Sequence, residues 1–252
     1  MKKILLLPAF IMSLALSSTS NADTLGVWVG GGMWNWDVSG SFRYQTADSF
    51  NVENTGSNYL NWADDDSTTL FATFDHPVPL IPNIKLFTTS LETRGTGQAT
   101  ATFGGATLTG AIDSSLDMDM TDVTLYWDVL DNVVGLDFGI QAKMVDGKVT
   151  VTDSSTPGQT DTADFDATIP MLYAGVDVSL PFTGLMVGVN GAYIGYDGSE
   201  LTEFHAYIRY DSPYVFGIEG GLKSFNIELD DIDQSYGELE FSGAYAQLYL
   251  HF

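Results

Sequence analysis

Ten ionisable side chains recur at alternate positions within segments that have the period of a β-strand. They are Asp122, Asp128, Asp137, Lys143, Asp177, Glu203, His205, Arg209, Glu219 and Lys223. Because successive side chains of a strand point to opposite faces, these residues share one face and apolar residues share the other. Such a set either lines a selective or proton-active passage or forms pairs that hold an interior together. Pairing is favoured, since burying an unpaired charge is costly.

The elements that carry these charges are ten candidate strands, identified by their alternation. They lie near 25–37, 67–75, 83–92, 120–130, 133–144, 168–180, 184–196, 201–210, 214–227 and 239–252. In the strand near 133–144, Leu136 and Phe138 share one face, and Asp137 and Lys143 share the other. The pattern predicts an all-β, closed antiparallel barrel of about ten strands.

The first strand is the least regular of the ten. Val27 and Val29 have odd positions, whereas Trp34 and Trp36 have even positions, and three glycines lie between the two pairs. If all four side chains shared one face, the parity would have to change within the glycines. We therefore expect a glycine bulge there.

The two ends of the chain indicate export and membrane assembly. Residues 1–22 have two lysines, an apolar run of about 13 residues and small residues before Asp23, which is the pattern of a cleaved signal peptide. That run is shorter than the roughly 20 residues that a spanning helix needs. Residues 23–252 then form one barrel domain. In its last strand, Leu248, Leu250 and the terminal Phe252 share an apolar face. This strand resembles the segment that the barrel-insertion machinery recognises, and the resemblance implies that it serves as the assembly signal.

The connections between the candidate strands alternate in length. The turns near 75–82, 131–132, 181–183 and 211–213 are short, whereas 38–66, 93–119, 145–167 and 228–238 are expected as long acidic loops, with only 197–200 short among them. Short periplasmic turns that alternate with longer outer loops are typical of a transmembrane barrel. An even strand count then places both termini on the periplasmic side.

Aromatic residues mark both expected membrane interfaces. They are Phe74, Trp127, Phe182, Tyr210, Tyr214 and Phe252 toward the turns, and Tyr193 and Tyr196 toward the loops. A soluble β-sandwich or lipocalin-like barrel has the same alternation with its apolar face inward. The export signal, the terminal Phe252, the loop lengths and these aromatic residues favour the membrane alternative.

The opening residues Gly26-Val27-Trp28-Val29-Gly30-Gly31-Gly32, the export signal and the closing strand together resemble a family of Gram-negative outer-membrane proteins that has a Gly-Gly pair in the first strand. The resemblance implies a barrel in the cell outer membrane of a Gram-negative bacterium. Its expected partners are outer-membrane lipid, lipopolysaccharide and the barrel-insertion machinery. The family has no established activity, so the resemblance supplies no catalytic residues.

The composition excludes several other classes of function. Without the two signal-peptide lysines, seven Lys and Arg residues face 33 Asp and Glu residues, a net charge of −26 that repels nucleic acid. The chain has no cysteine, which excludes disulfides and thiolate metal sites. Ten strands give a barrel about 20 Å across, and its side chains leave a gap below about 10 Å, too narrow for a general porin.

Metal ions and catalysis have weak support. Acidic runs at Asp64, Asp65 and Asp66 and at Asp230, Asp231 and Asp233 have the oxygen ligands that Ca²⁺ or Mg²⁺ prefers, without EF-hand spacing. We expect loosely bound Ca or Mg at most, and no cofactor; the alternative is simple solvation of the acids. His76 lies in a turn, His205 within a strand and His251 beside the terminus, so an outer-rim hydrolase of the omptin or Ser-His type lacks a general base.

The sequence therefore predicts a non-enzymatic outer-membrane barrel with a narrow or plugged lumen and a structural or surface-interaction role. The first alternative is a narrow channel for ions or a small solute. An outer-membrane hydrolase is the least favoured alternative.

Overall fold

The computed structural model describes residues 25–45, 48–78, 80–156, 158–232 and 234–252, so the expected signal peptide at residues 1–22 lies outside it. Within these ranges no helix is long and apolar enough to cross a membrane. The strands are β1 (Gly26–Tyr44), β2 (Phe50–Asn51), β3 (Asp65–Asp75), β4 (Asn83–Phe103), β5 (Ala106–Asp131), β6 (Val134–Asp153), β7 (Thr160–Leu180), β8 (Leu185–Tyr196), β9 (Ser199–Asp211), β10 (Phe216–Ile232) and β11 (Ser235–His251).

Ten of these strands form one closed antiparallel ring, and the short β2 pairs with β1 alone. Each strand from β3 to β10 pairs with the next in the chain, and β1 closes the ring by pairing with both β3 and β11. At the seam, Val27 and Phe252 exchange two backbone hydrogen bonds of 3.1 and 2.9 Å. The expectation of a closed ten-stranded antiparallel barrel is confirmed.

The two ends of the barrel differ in their connections. The terminal end holds Gly26, His251 and the four turns that precede β4, β6, β8 and β10. The loop end holds the five other connections, including the segment from residue 45 to residue 64. The ten strands begin or end at the terminal end close to where the alternation predicts them.

At the loop end the strands are much longer than expected. Residues 93–119, expected as a loop, are the end of β4, a turn at Gly104 and Gly105, and the start of β5. Residues 145–167 are mostly the ends of β6 and β7, and 228–238 mostly the ends of β10 and β11. Much of the acid assigned to loops therefore lies on strands. The expectation of long loops was wrong because the outward residues there are Asp and Thr, so the apolar-outside pattern no longer marks a strand.

The barrel consists of two halves with opposite polarity. In the terminal half apolar side chains face outward, as on β6, where Phe138 and Ile140 are 50% and 53% exposed. From Val134 to Met144 the outward residues of β6 are apolar, with Gly135, Asp137, Gln141 and Lys143 on the other face. Ten residue steps at a strand tilt of about 40° give a belt about 25 Å high, which matches the apolar band of transmembrane barrels.

In the loop half the apolar side chains face inward instead. The buried core there joins residues from nearly every strand: Trp34, Trp36, Val38, Phe50, Val52, Leu60, Trp62, Leu91, Ala99, Ala101, Phe103, Ala106, Leu108, Ile112, Leu116, Met118, Met120, Val145, Val149, Val151, Met171, Ala192, Leu201, Phe225 and Phe241. On β5 the outward residues of this half are polar, among them Asp113, Asp117 and Asp119. The loop half is thus built as a soluble β-barrel is, with a dry core and a solvated surface.

The expected glycine bulge in β1 is absent. The pairing of β1 with β11 keeps one register from Trp28 opposite His251 to Tyr44 opposite Ser235. The pairing with β3 is equally regular. The two valines and the two tryptophans have opposite parity because they lie on opposite faces, with Val29 outside and Trp34 completely buried inside.

The segment between β1 and β3 closes the wall of the loop half. Because β3 begins only at Asp65, this segment lies between the extensions of β1 and β4. Tyr59 exchanges backbone hydrogen bonds of 2.9 and 3.0 Å with Gln98, and its inward side chains include the fully buried Phe50 and Leu60. A Cβ added to Gly97 would clash with the Tyr59 carbonyl, so glycine permits this close approach.

The opposite side of the loop half has an open strand edge. Residues 160–171 of β7 pair with β6, and pairing with β8 begins only at Leu172 opposite Tyr193. Their other edge has no strand partner among the described residues. Asp164, Asp166 and Pro170 lie along this stretch, and acidic residues and proline are the features by which natural edge strands avoid unwanted pairing.

Candidate functional site

All ten side chains singled out in the sequence lie inside the barrel. Asp128, Asp137, Asp177, His205, Arg209, Glu219 and Lys223 line one large cavity, and Asp122, Lys143 and Glu203 are buried directly beyond it. They come from five strands, β5, β6, β7, β9 and β10, with none on the outer surface. The alternation thus places every one of them on the correct face.

A buried ion triad crosses the lumen beyond the inner end of this cavity. Lys143 Nζ lies 2.7 Å from Asp122 Oδ1 and 2.9 Å from Glu203 Oε1. Gln141 donates a hydrogen bond of 2.5 Å to Glu203 Oε2, and Thr124 donates one of 3.1 Å to Gln141 Oε1. Because β9 is not a neighbour of β5 or β6 in the ring, the triad ties opposite walls of the barrel together.

A second ion pair lies on the cavity wall. Arg209 donates from Nη2 and Nε to Glu219 Oε2, at 2.6 and 2.8 Å. Glu219 Oε1 accepts further hydrogen bonds from the Tyr245 hydroxyl at 2.8 Å and from the Gln247 amide at 2.7 Å. The carboxylate is therefore fully bonded, as a buried charge requires.

Aspartates concentrate at the mouth of the cavity, near the terminal end. They are Asp75, Asp128, Asp131, Asp137 and Asp177. The Tyr126 hydroxyl donates to Asp75, and the Asn83 amide donates to Asp128 at 2.7 Å. Within the described ranges none of the five forms an ion pair with a Lys, Arg or His side chain.

Two lysines at the inner end of the cavity complete the arrangement. Lys223 Nζ lies 4.7 Å from the centre of the Trp34 ring and 4.3 Å from that of the Phe87 ring. Lys85 also lines the cavity and is absent from the sequence-derived set. The alternation of residues 83–87 does identify it, because Lys85 shares a face with Asn83 and Phe87 against two outward apolar residues.

The cavity has a volume of about 890 Å³ and extends along the terminal half only. Its lining runs from the turn residues His76, Pro77 and Asn132 at the terminal end to Trp34 and Lys223 inside. Beyond these residues lie the ion triad and then the apolar core of the loop half. The lumen is therefore a pocket with one mouth, lined largely by aromatic residues that the sequence analysis did not select: Trp28, Phe71, Tyr126, Tyr173, Tyr207, Tyr245 and Tyr249.

The other expected site residues lie outside the lumen. Leu248, Leu250 and Phe252 face outward and are 64%, 46% and 40% exposed. Among the described residues no three Asp, Glu or His side chains are arranged to hold a metal ion, and Asp233 of the acidic run lies outside these ranges. Loose Ca or Mg binding at the acidic segments stays a prediction.

The three histidines have no carboxylate or hydroxyl hydrogen-bond partner within the described structure. His76 contacts the Pro82 carbonyl at 3.1 Å through Nε2, and Nε2 of both His205 and His251 is buried without a partner. The centre of the His205 ring lies 6.1 Å from the centres of the Phe87 and Tyr245 rings.

The cavity as a whole offers charged groups, hydrogen-bond donors and aromatic surface. These are the groups with which a protein binds a small polar molecule.

No family model matches this chain, and no curated protein matches its sequence. Solved structures with similar architecture include the outer membrane protease OmpT from Escherichia coli, with a TM-score of 0.45 and 13% identity over 90% of this chain and 97% of that one. The transport unit of the autotransporter AIDA-I from Escherichia coli matches with a TM-score of 0.36 and 10% identity, covering 93% of each chain. The Pseudomonas putida toluene transporter TodX matches with a TM-score of 0.29 and 8% identity, over 90% of this chain and 89% of that one. At such identities the likeness says nothing of activity, substrate or partner.

Proposed function

We propose that this chain is a non-enzymatic outer-membrane barrel whose lumen is plugged and whose loop half projects from the cell as a structural or surface-interaction module. The apolar belt supports insertion of the terminal half, since its height of about 25 Å equals that of a transmembrane barrel. Exposed aromatic residues flank the belt, with Trp127 and Phe74 toward the terminal end and Tyr193 and Tyr196 toward the other. In this orientation both described chain ends face the periplasm.

The observation that carries the proposal is the filled cross-section of the lumen. The triad of Lys143, Asp122 and Glu203 spans it, and directly beyond the triad the indole of Trp36 packs edge-on against Phe241, with 5.5 Å between ring centres. Dry, close-packed apolar side chains exclude water and ions. This packing therefore supports a closed lumen and disfavours the channel alternative.

The loop half supports a surface role. Its outer faces beyond the belt are acidic, and its wall includes the open edge of β7 at residues 160–171. An open edge offers backbone hydrogen-bonding groups to a partner strand, while its aspartates restrict which partners can approach. The acidic outer faces and the open edge therefore support a role in which the loop half contacts a partner.

Ion flow through the inserted protein tests the proposal. The refolded barrel, checked for insertion by heat-modifiable gel mobility, should show no unit conductance steps in planar bilayers, with a general porin as the positive control. Arg209→Ala should lose stability and still pass little current, because the core beyond the cavity stays intact. Steady cation-selective conductance from the unmodified protein would overturn the proposal in favour of a channel.

A further inference from the structure

The inner end of the cavity holds several nitrogen atoms that have no hydrogen-bond partner among the described residues. Lys223 is only 4% exposed, and neither its ammonium group nor that of Lys85 has a hydrogen-bond acceptor or an ion pair within bonding distance in the described structure. Nε1 of the fully buried Trp34 and Nε2 of His205 are also buried without a partner. All four side chains line the same cavity. Buried polar groups in folded proteins are normally bonded, so the two buried nitrogens without a partner, beside two ammonium groups without an ion pair, need an explanation.

The charges at this end favour a single negative group. Three ammonium groups, those of Lys85, Lys143 and Lys223, share the region with two carboxylates, those of Asp122 and Glu203. The triad accounts for Lys143 and both acids, and Arg209 and Glu219 neutralise each other. One positive charge is thus left in excess. A carboxylate that entered the cavity would supply both the missing charge and the missing acceptors.

The mouth has the opposite character. Its five aspartates have no cationic partner within the described ranges. Asp177 in particular lines the cavity and makes no hydrogen bond or ion pair in the described structure. A simple anion would be repelled on its way past these carboxylates, whereas a molecule with an ammonium group would be attracted.

The walls between the two ends are largely aromatic. Phe71, Phe87 and Tyr245 face the cavity between Lys223 and the mouth. Aromatic walls favour a ligand with a carbon body between its polar ends. The cavity volume of about 890 Å³ lies within the range of small-molecule sites.

We propose that this cavity binds a small zwitterion, with its carboxylate between Lys85 and Lys223 and its ammonium group among the mouth aspartates. The carbon chain lies against the aromatic walls. This inference concerns the terminal half of the lumen and does not depend on a surface role for the loop half or on the absence of conductance.

Zwitterions of graded length, with single-charge controls, test the proposal. The probes are a series of ω-amino acids from glycine to 8-aminooctanoate, with hexanoate and hexylammonium as single-charge controls for 6-aminohexanoate. Binding to the refolded barrel in detergent is measured by calorimetry and by tryptophan fluorescence, since Trp28 and Trp34 line the cavity. We expect one member of the series to bind at least about tenfold tighter than either single-charge control does. Failure of the whole series to bind, or equally tight binding of hexanoate, would overturn the proposal.

Three variants assign the two ends of the ligand. Lys223→Met and Lys85→Met should each weaken zwitterion binding about tenfold or more, and Lys148→Met on the outer surface should leave it unchanged. Asp177→Asn should weaken binding of the zwitterion and not that of hexanoate. Gel mobility and unfolding midpoints verify the fold, and the two lysine variants test the same end independently. Unchanged binding in a folded lysine variant would refute the site.

Discussion

At the scale of single residues, Lys143 is the cation that compensates the two carboxylates of the buried triad. It is completely buried, and it is the only described cation bonded to Asp122 and Glu203. Removal of one partner of a buried ion pair is far more damaging than replacement of the whole pair, because the remaining charges lose their compensation.

Lys143→Met should therefore reduce the free energy of unfolding by about 3–5 kcal/mol. Lys148→Met is the matched control on the same strand, since Lys148 pairs with Asp164 at 3.2 Å with both side chains more than half exposed. The control should cost less than about 1 kcal/mol. Urea titrations of both variants in detergent measure the difference, and similar losses would mean that the triad contributes no more than a surface pair.

Asp153, at the loop-end tip of β6, gives a pH-dependent prediction. Its carboxylate accepts hydrogen bonds from the backbone amides of Thr109, Ser155 and Thr156, at 2.7 to 2.9 Å, and from two hydroxyl groups. The hydroxyl of Ser155 and these amides favour the ionised form and lower the pKa of Asp153 far below its ordinary value.

A lowered pKa in the folded state means that the carboxylate stabilises the fold above the ordinary aspartate pKa of about 3.9 and loses this effect as the pH falls toward the folded value. The melting temperature of the parent should exceed that of Asp153→Asn by a constant amount from about pH 5 to 8. The difference should narrow below about pH 4. A difference that stays constant to pH 2.5 would contradict this assignment.

At the scale of strands, the reversal of polarity along β6 can be tested with one substitution at two heights. Phe138 faces outward within the belt, and Thr150 has the same parity twelve residues further, in the loop half. An arginine near the bilayer midplane on the lipid face costs about 2–4 kcal/mol.

Phe138→Arg should therefore destabilise the barrel in lipid by about 2–4 kcal/mol, and Thr150→Arg should change the stability by no more than about 0.5 kcal/mol. Folding titrations in liposomes provide the measurement. If the two substitutions had equal effects, either the belt would be misplaced or β6 would not be embedded in lipid.

At the scale of the whole molecule, the proposed orientation predicts which connections face the cell exterior. The chain has no cysteine, so a single introduced thiol reports its own side of the membrane. Asp197 lies in the β8–β9 turn at the loop end, and the exposed Phe182 lies in the β7–β8 turn at the terminal end.

Asp197→Cys should react on intact cells with a maleimide polymer that is too large to cross the outer membrane. Phe182→Cys should react only after the outer membrane has been permeabilised. The opposite pattern would reverse the orientation, and labelling of both variants on intact cells would exclude insertion in the outer membrane.

The terminal half of the barrel was predictable from residue order alone. Alternation fixes which side chains share a face. Once the signs of a membrane barrel place the apolar face outside, residues of the opposite parity, such as Asp137, Glu203 and Lys223, must point inward. Strand bounds at the terminal end also followed, because proline and aspartate turns interrupt the apolar pattern there. Lys85 was identifiable by the same reasoning.

The loop half was not predictable in this way, because its polarity is reversed. Alternation tells that two faces differ and does not tell which face meets protein, lipid or water. Residues 93–119 were expected as a loop since their outward residues are polar. A bulge was expected in the glycines before Trp34 because the parity of this apolar residue differs from that of Val27 and Val29. The side chains of both halves alternate with the same period of two. Whether a given face meets lipid, water or other side chains depends on the strands around it.

Residue order determined the ten-stranded barrel, the pairing of successive strands in its terminal half and the inward face of the ten selected charges, because these depend on a local period and on connections between neighbours in the chain. Tertiary structure alone decided that Lys143 bridges to Glu203 across the lumen, that residues 48–64 close the wall beside β4, and that Lys223 has no counter-ion among the described residues. These contacts join strands that are distant in the chain, and no local pattern specifies which charge meets which when a sheet closes into a ring.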